Sequence, residues 1–441
     1  MSNGAFATTP RTCFLWGTVI FLASLAAFLS GLDAAGEIYF DETWYVPAAR
    51  AWLQSGEMLH QEHPPLGKLL IAASLWLFGD NFFGWRAMSA LFGSITLLAV
   101  YVWTLALLDD FRAALWASAL TFFNAILFVQ ARIAMLDIFL IAFTSLALAF
   151  YTLSVKETRS TRRSLAYALA MGVSLGLAGA CKWSGFFLLL GLAAIQLLVG
   201  LMRLWRVRFD DPKADDFYTP GALPAWTPLN TFLAFVVAPL FAYCLAYLPQ
   251  MIRADSILEF AASHRRMFDI WSGHSADHPY ESLWYSWPLL WRPVWYLFEI
   301  KGHDAALWST ENPAKAIVAL ANPIVVFAGE IAILVATLRF LARREQNSLI
   351  VAVAFFSQYL LWAINPKGLE FSYYFFPSIM CFGPALALLF FRGPGVWGTR
   401  AALGLLALAG LGFAFFLPIL AAGIGVSHAS FELRIWLPSW R

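Results

Sequence analysis

The chain has 441 residues, of which 61% are hydrophobic and 13% are charged. Soluble globular domains carry about 25% charged residues, so the low value along most of this chain excludes a soluble domain with one anchor. The net charge of +2 favours neither a nucleic-acid partner nor a polybasic membrane patch.

The composition instead predicts an all-α polytopic membrane protein with one membrane-integral domain, 1–441. Eleven apolar segments have the length of about 20 residues that a helix needs to cross a membrane. In chain order they cover 13–32, 87–108, 113–130, 133–153, 164–181, 184–202, 229–249, 314–338, 348–364, 371–391 and 401–424. We interpret the first as a retained span rather than a cleaved signal peptide, because it belongs to a pattern of many spans.

The apolar run 66–78 is too short for a span, since a helix of this length reaches only about 20 Å. Counting it as a span would also put the later basic clusters outside, although cytoplasmic loops normally collect Lys and Arg. With a cytoplasmic N-terminus, those clusters fall in inner connections around 156–163, 203–208, 339–344 and 392–400. We therefore expect an outer C-terminus, a cytoplasmic loop at 203–228 and a C-terminal four-helix part at 314–441.

The first outer loop, 33–86, contains the stretch FDETWY, in which two acids adjoin aromatic residues. Two short interfacial helices are predicted, one from the acids to Ser55 and one over 66–78 after a Pro-Pro pair. Asp41 and Glu42 suit the N-cap and first turn of the earlier helix, which is a purely structural interpretation. The alternative is that the two helices hold a catalytic pair at the membrane surface.

Further charged residues occur at the outer ends of spans, in the motifs GWR, QARIAMLD and CKWSGFF. Snorkelling or an interhelical ion pair is one interpretation of Arg86, Arg132, Asp137 and Lys182. The other is a site for a lipid phosphate headgroup, because Arg and Lys at this depth neutralise phosphate. A phosphate leaving group needs no protonation, so one carboxylate would suffice as base for an incoming hydroxyl, unlike the carboxylate pair of glycoside hydrolases.

The second long outer loop, 250–313, is a candidate lid or acceptor region. It contains six tryptophans: Trp271, Trp284, Trp287, Trp291, Trp295 and Trp308. An aromatic belt at headgroup level is one interpretation, and stacking on a sugar or an acceptor is the other. No helix is evident around His264, His274, His278 and His303, and no third ligand is fixed, so we expect no metal site. The four cysteines, all in or beside apolar runs, favour buried thiols.

Six motifs resemble, in the same order, those of the protein O-mannosyltransferase family. They are DETWY, HPPLGKLLIA, WRAMSALFGS, ARIAMLDIFL, CKWSGFF and HPYESLWYSWPL, with a weaker likeness at FSYYFFP. The resemblance implies a membrane glycosyltransferase of the GT-C fold, with eleven spans and two interfacial helices in the first outer loop. It also implies an inverting transfer of mannose from a polyprenyl-phosphate donor to Ser or Thr hydroxyls of proteins.

Matched motif by motif, the resemblance implies Asp41 as the general base and Glu42 as its helper in acceptor or sugar binding. The residues implied around the donor phosphate and sugar are Arg86, Arg132, Asp137, Lys182, His63 and Lys68. The lid and acceptor candidates are His278, Tyr280 and Trp284. No cofactor and no metal are implied, and the lipid-linked sugar is a substrate.

With the predicted topology, the resemblance implies a bacterial form in an inner membrane, with a periplasmic active site and an acceptor protein met during Sec translocation. Loop 250–313 has no room for the β-trefoil domain of eukaryotic members, which leaves the acceptor open. A related transferase that passes aminoarabinose or another sugar to lipid A or a polysaccharide is therefore an alternative. A transporter or lipid flippase is a third, although its charges should lie near span midpoints rather than at one face.

Overall fold

The computed structural model describes residues 8–209, 226–254, 256–273, 278–300, 308–364, 369–391 and 396–441. The described helices are α1 (Pro10–Leu29), α2 (Glu42–Ser55), α3 (Leu66–Phe78), α4 (Phe82–Leu108), α5 (Phe111–Phe122), α6 (Ile126–Gln130), α7 (Asp137–Lys156), α8 (Thr161–Cys181), α9 (Phe186–Phe209), α10 (Pro228–Phe232), α11 (Ala238–Arg253), α12 (Leu258–Gly273), α13 (Pro323–Arg343), α14 (Gln346–Leu360), α15 (Phe376–Ile379), α16 (Phe382–Phe390), α17 (Val396–Phe416) and α18 (His428–Glu432). Two strands, β1 (Val294–Glu299) and β2 (Lys315–Ala319), pair antiparallel. Most of the loop 203–228, together with His274 and His303, lies outside the described residues.

Nine helices in the described part of the chain are long and apolar enough to cross a membrane, and a bent pair around α15 and α16 would make ten. The predicted count of eleven is therefore not confirmed. The predicted span 113–130 is wrong as one helix, because α5 ends at Phe122 and Ala125 turns the chain at a φ of 68°. The carbonyl of Asn124, in this break, accepts a 2.8 Å hydrogen bond from the backbone N–H of Asn322.

Two further corrections concern the second outer loop and the span after it. The span predicted over 314–338 begins with β2, and its helix α13 starts only at Pro323. Asn322 caps this helix by accepting from the N–H of Ile324, and a proline suits the first helical turn. The expectation of no helix around the histidines is wrong for His264, which lies in α12, whereas His278 lies outside any helix.

The two short helices predicted within 33–86 are present as α2 and α3. Gly56 ends α2 in the left-handed region at a φ of 76°, and Pro65 directly precedes α3. The ammonium of Lys68 on α3 is buried and donates to the carbonyls of His60 (2.6 Å) and His63 (3.0 Å) in the intervening loop. Hence Lys68 holds the loop between the two helices against α3.

The long helices pack closely enough to bury polar groups at their ends. Among the nine described helices that could cross a membrane, α7 is the most buried, with 78% of its apolar stretch enclosed by the protein. It packs between α4 and α8. α8 approaches α11 so closely that a Cβ on Gly176 would lie 2.2 Å from the carbonyl oxygen of Pro239. Small residues permit such contacts, which replace the hydrophobic effect as the source of helix association in a membrane.

Candidate functional site

The first polar cluster is a buried ion pair between Glu42, the first residue of α2, and Arg86 on α4. Nε and Nη2 of Arg86 donate to the two carboxylate oxygens of Glu42 at 2.7 and 2.8 Å, and the residues are 1% and 0% exposed. The remaining Arg86 donors reach the carbonyls of Leu32 (2.6 Å) and Glu37 (2.8 Å). The N–H of Ala134 donates to the same carboxylate at 3.0 Å. The pair therefore joins the chain before α2, α4 and the turn before α7.

The second cluster joins Asp137, the first residue of α7, to Lys182 between α8 and α9. Nζ of Lys182 donates to both Asp137 oxygens at 2.9 and 2.8 Å, and both residues are 6% exposed. The ammonium also lies 5.7 and 5.5 Å from the ring centroids of Tyr373 and Tyr374, distances typical of cation–π contacts. Lys182 is thus a buried interhelical partner, and the snorkelling interpretation is wrong for it.

Asp41 belongs with this second cluster rather than with its neighbour in sequence. It occupies the N-cap position of α2 without a capping hydrogen bond and is only partly buried, whereas Glu42 is fully buried. Its charge acts on Lys182 and on Tyr45, and the charge of Asp137 acts on Tyr45 as well. The two adjacent acids of FDETWY therefore have different surroundings. Asp41 keeps an accessible carboxylate near the Asp137–Lys182 pair, and Glu42 forms a closed ion pair with Arg86.

Arg132 lies apart from Asp137 despite their proximity in sequence. Its guanidinium donates to carbonyls at the end of α1, including Phe28 and Gly31 at 3.0 Å each and Ser30. Its own carbonyl accepts from the hydroxyl of Tyr39 at 3.1 Å. Since the last carbonyls of a helix lack partners within the helix, Arg132 satisfies the end of α1.

Of the loop candidates, Lys68 and His63 are joined through the carbonyl of His63, as described above. Burial lowers the pKa of Lys68 to about 8, and the charge of Glu62 partly opposes this shift. The ring of His278 packs edge-on against Phe371 at 5.0 Å.

Tyr280 and Trp284 follow in the same loop, and Trp284 packs against Tyr359 of α14 at 5.5 Å. The Trp284 carbonyl also accepts from the hydroxyl of Tyr359 at 3.2 Å. The segment from His278 to Trp284 is thus anchored on the C-terminal part of the chain.

Sequence reasoning missed the buried tyrosines and the glutamine around Asp41. They are Tyr45, Tyr296, Tyr373, Tyr374 and Gln130. Nε2 of Gln130 donates to the hydroxyl of Tyr296 at 2.7 Å. Tyrosines at span ends are equally typical of an aromatic belt, so their number alone carried no signal.

No group of three or more His, Cys, Asp and Glu side chains within the described ranges could hold a metal ion. Cys13, Cys181, Cys244 and Cys381 are all free thiols. What the described site offers is one accessible carboxylate beside a buried ion pair and several phenols. This set can accept a proton, neutralise an anion and hydrogen-bond to hydroxyls.

A family model for dolichyl-phosphate-mannose-protein mannosyltransferase matches residues 18–252. The polyprenol-phosphate-mannose–protein mannosyltransferase of Mycolicibacterium smegmatis is 28% identical over 495 aligned residues, covering 97% of this chain and 93% of the relative. The GT-C fold is confirmed by solved structures. The Pmt1-Pmt2 complex of S. cerevisiae matches with a TM-score of 0.78 at 14% identity, covering 98% of this chain and 93% of that one. ArnT from Cupriavidus metallidurans matches at 0.60 and 17%, covering 91% and 65%.

These matches extend over most of the chain and agree with its multi-pass helical architecture. The matched region of the family model contains both ion pairs and the acids of FDETWY. The chain belongs to the dolichyl-phosphate-mannose–protein mannosyltransferase family.

Proposed function

We propose that the protein transfers mannose from a polyprenyl-phosphate donor to Ser or Thr hydroxyls of proteins, with inversion at the sugar carbon. The observation that carries this proposal is a partly exposed carboxylate, Asp41, beside the buried Asp137–Lys182 pair. The relative from Mycolicibacterium smegmatis is named for its polyprenol-phosphate-mannose donor, and the yeast complex was solved with its sugar donor bound. The Asp41 carboxylate and the Lys182 ammonium suit a displacement that needs one base and one cation.

In the proposed reaction, the Asp41 carboxylate takes the proton of the acceptor hydroxyl as its oxygen attacks C1 of the sugar. The bond between C1 and the phosphate oxygen breaks, and the lipid phosphate leaves with the electron pair. Lys182 neutralises the charge that develops on this phosphate, which is the largest electrostatic demand of the step. Asp137 holds the ammonium in place through its two hydrogen bonds.

Glu42 and Arg86 take a positioning role in this proposal. Every carboxylate oxygen of Glu42 is engaged in the closed pair, and Asp41 is the next residue in the chain. Fixing Glu42 therefore fixes the backbone from which Asp41 projects. The resemblance alone suggested sugar or acceptor binding for Glu42 and donor binding for Arg86, and the burial of both favours positioning instead.

Arg132 shares this positioning role, because its donors hold the end of α1 beside the loop that carries Asp41. His63 and Lys68 fix the loop between α2 and α3. His278, Tyr280 and Trp284 remain the proposed lid, anchored on the C-terminal part of the chain. We assign no metal or cofactor to the reaction, in keeping with the charge-neutralising role of Lys182.

We further propose a bacterial inner-membrane location, with the N-terminus in the cytoplasm, the site on the periplasmic side and acceptors met during Sec translocation. Cysteines introduced at positions 60 and 160 test this topology. Impermeant reagents added from outside should label only position 60. Labelling of position 160 alone would show that the topology is the reverse of the one proposed.

The activity test incubates purified protein with polyprenyl-phosphate mannose, Ser/Thr-containing peptides and lipid A. Mass spectrometry should detect peptides that gain one hexose. Transfer to lipid A alone would instead favour a transferase with a lipid or polysaccharide acceptor. The fold shared with ArnT is the observation that supports this second candidate. Absence of transfer to either acceptor would contradict the proposed donor.

A further inference from the structure

Tyr296, on β1, is a buried phenol whose oxygen already accepts a hydrogen bond. Nε2 of Gln130 donates to it at 2.7 Å, and Gln130 is fully buried at the end of α6. This is the one hydrogen bond of the Tyr296 hydroxyl to any described residue. Because a phenol can donate as well as accept, its own proton remains available for a further partner.

The ring of Tyr296 is fixed beside Asp41. Phe40, the residue before Asp41, stacks on it with ring centroids 4.2 Å apart and planes 19° apart. Tyr373 packs against it nearly edge-on at 6.0 Å. With both ring contacts and the Gln130 hydrogen bond in place, the hydroxyl has little freedom to move.

The surroundings of this hydroxyl carry negative charge. Burial, the largest cause, raises the pKa of Tyr296 well above its ordinary value, and the charges of Asp137 and Asp41 raise it further. The phenol therefore keeps its proton at working pH. The proposed partner of the donor phosphate is the ammonium of Lys182, so the neutral phenol of Tyr296 is left for an uncharged part of the donor.

A neutral sugar hydroxyl suits the same surroundings well. The sugar hydroxyl can accept a hydrogen bond from the phenol and donate one to a carboxylate, so the phenol and the carboxylate both gain a partner. Sites built to hydrogen-bond a hydroxyl discriminate strongly against ligands that lack it, because their buried polar groups are then left unpaired.

We propose that Tyr296, oriented by Gln130 and Phe40, donates a hydrogen bond to a hydroxyl of the transferred sugar and so helps to select that sugar. This inference rests on the proposed donor chemistry and deepens it by assigning sugar recognition to the second outer loop. In this assignment Tyr296 contacts the substrate, and Gln130 is a positioning residue that acts through it.

The test uses the full-length protein with Tyr296→Phe, which keeps the ring contacts and removes only the hydroxyl. Gln130→Met removes the orienting donor at similar volume, and Tyr285→Phe, at a 61% exposed tyrosine of the same loop, is the matched control. Affinities are measured by tryptophan fluorescence for polyprenyl-phosphate mannose and for polyprenyl phosphate without sugar. Melting temperatures confirm that each variant is folded.

Loss of one neutral hydrogen bond should weaken binding of the mannosyl lipid about fivefold in Tyr296→Phe. Binding of bare polyprenyl phosphate should not change, and the Tyr285→Phe control should resemble wild type. Gln130→Met should weaken only the mannosyl lipid, and the double variant should bind no worse than Tyr296→Phe, since both act through one hydroxyl.

Equal losses for both lipids, or no loss, would overturn the role of Tyr296 while wild-type transfer of mannose still supports the proposed function. If the wild-type protein neither transfers mannose nor prefers the mannosyl lipid, the proposed donor itself fails and this role fails with it. Additive losses in the double variant would remove Gln130 as the orienting residue.

Discussion

Glu42→Gln should destabilise the protein strongly, because it removes the charge that compensates a buried guanidinium. Arg86 is 1% exposed, and the partners that touch it after the substitution would be uncharged: carbonyl and amide oxygens and the rings of Tyr39 and Phe82. Breaking one side of such a buried pair costs about 3–5 kcal/mol, whereas exposed pairs contribute about 0–1 kcal/mol. The chain offers an exposed pair in the same loop, Arg50 with Asp80, whose side chains are 35% and 49% exposed.

The assay compares melting temperatures of Glu42→Gln and Asp80→Asn in detergent, with turnover measured below both transitions. We expect a much larger drop for Glu42→Gln, and partial recovery when Arg86→Met is added, since the double variant leaves no uncompensated charge. A Glu42→Gln protein as stable as the Asp80→Asn control but without turnover would refute the positioning role. Glu42 would then act in the chemistry.

Two other expectations concern lysines. Lys182→Met should weaken binding of bare polyprenyl phosphate by about tenfold or more, because hydrogen bonds to charged groups contribute about 1.5–3 kcal/mol. Adding Asp137→Asn should restore the melting temperature and not the binding; restored binding would contradict the phosphate role. In the folded protein, burial lowers the pKa of Lys68 to about 8. Above about pH 8 the folded protein therefore loses the Lys68 proton while the unfolded chain still binds it, which favours folding as the pH rises. The melting temperature of wild type relative to Lys68→Met should therefore rise between pH 8 and 10, and a fall would contradict the shift.

The sequence was most informative where local chemistry decides structure. The helix 66–78 was predicted with its observed bounds, since a Pro-Pro pair precedes it and a glycine follows it. The break at Ala125 was missed because alanine gives no signal for a positive φ. β2 was read as the start of a span, since a short apolar run has no period that separates strand from helix.

The charged residues of the site could be identified from the sequence, but which of them pair could not. Glu42 and Arg86 are 44 residues apart, and Asp137 and Lys182 are 45 apart, so only tertiary packing joins them. The adjacent acids of FDETWY were treated as one unit, although successive residues at the start of a helix point in different directions. Tyr296 could not be singled out, because the strand that presents it was not predicted.

The most direct test of the central claim is the turnover of Asp41→Asn with polyprenyl-phosphate mannose and an acceptor peptide. Removal of a general base should lower kcat by about 10²–10⁴-fold, with donor affinity and melting temperature close to wild type. Asp80→Asn, from the same loop, should keep wild-type turnover. An Asp41→Asn protein that transfers mannose at the wild-type rate would contradict the assignment of Asp41 as the base.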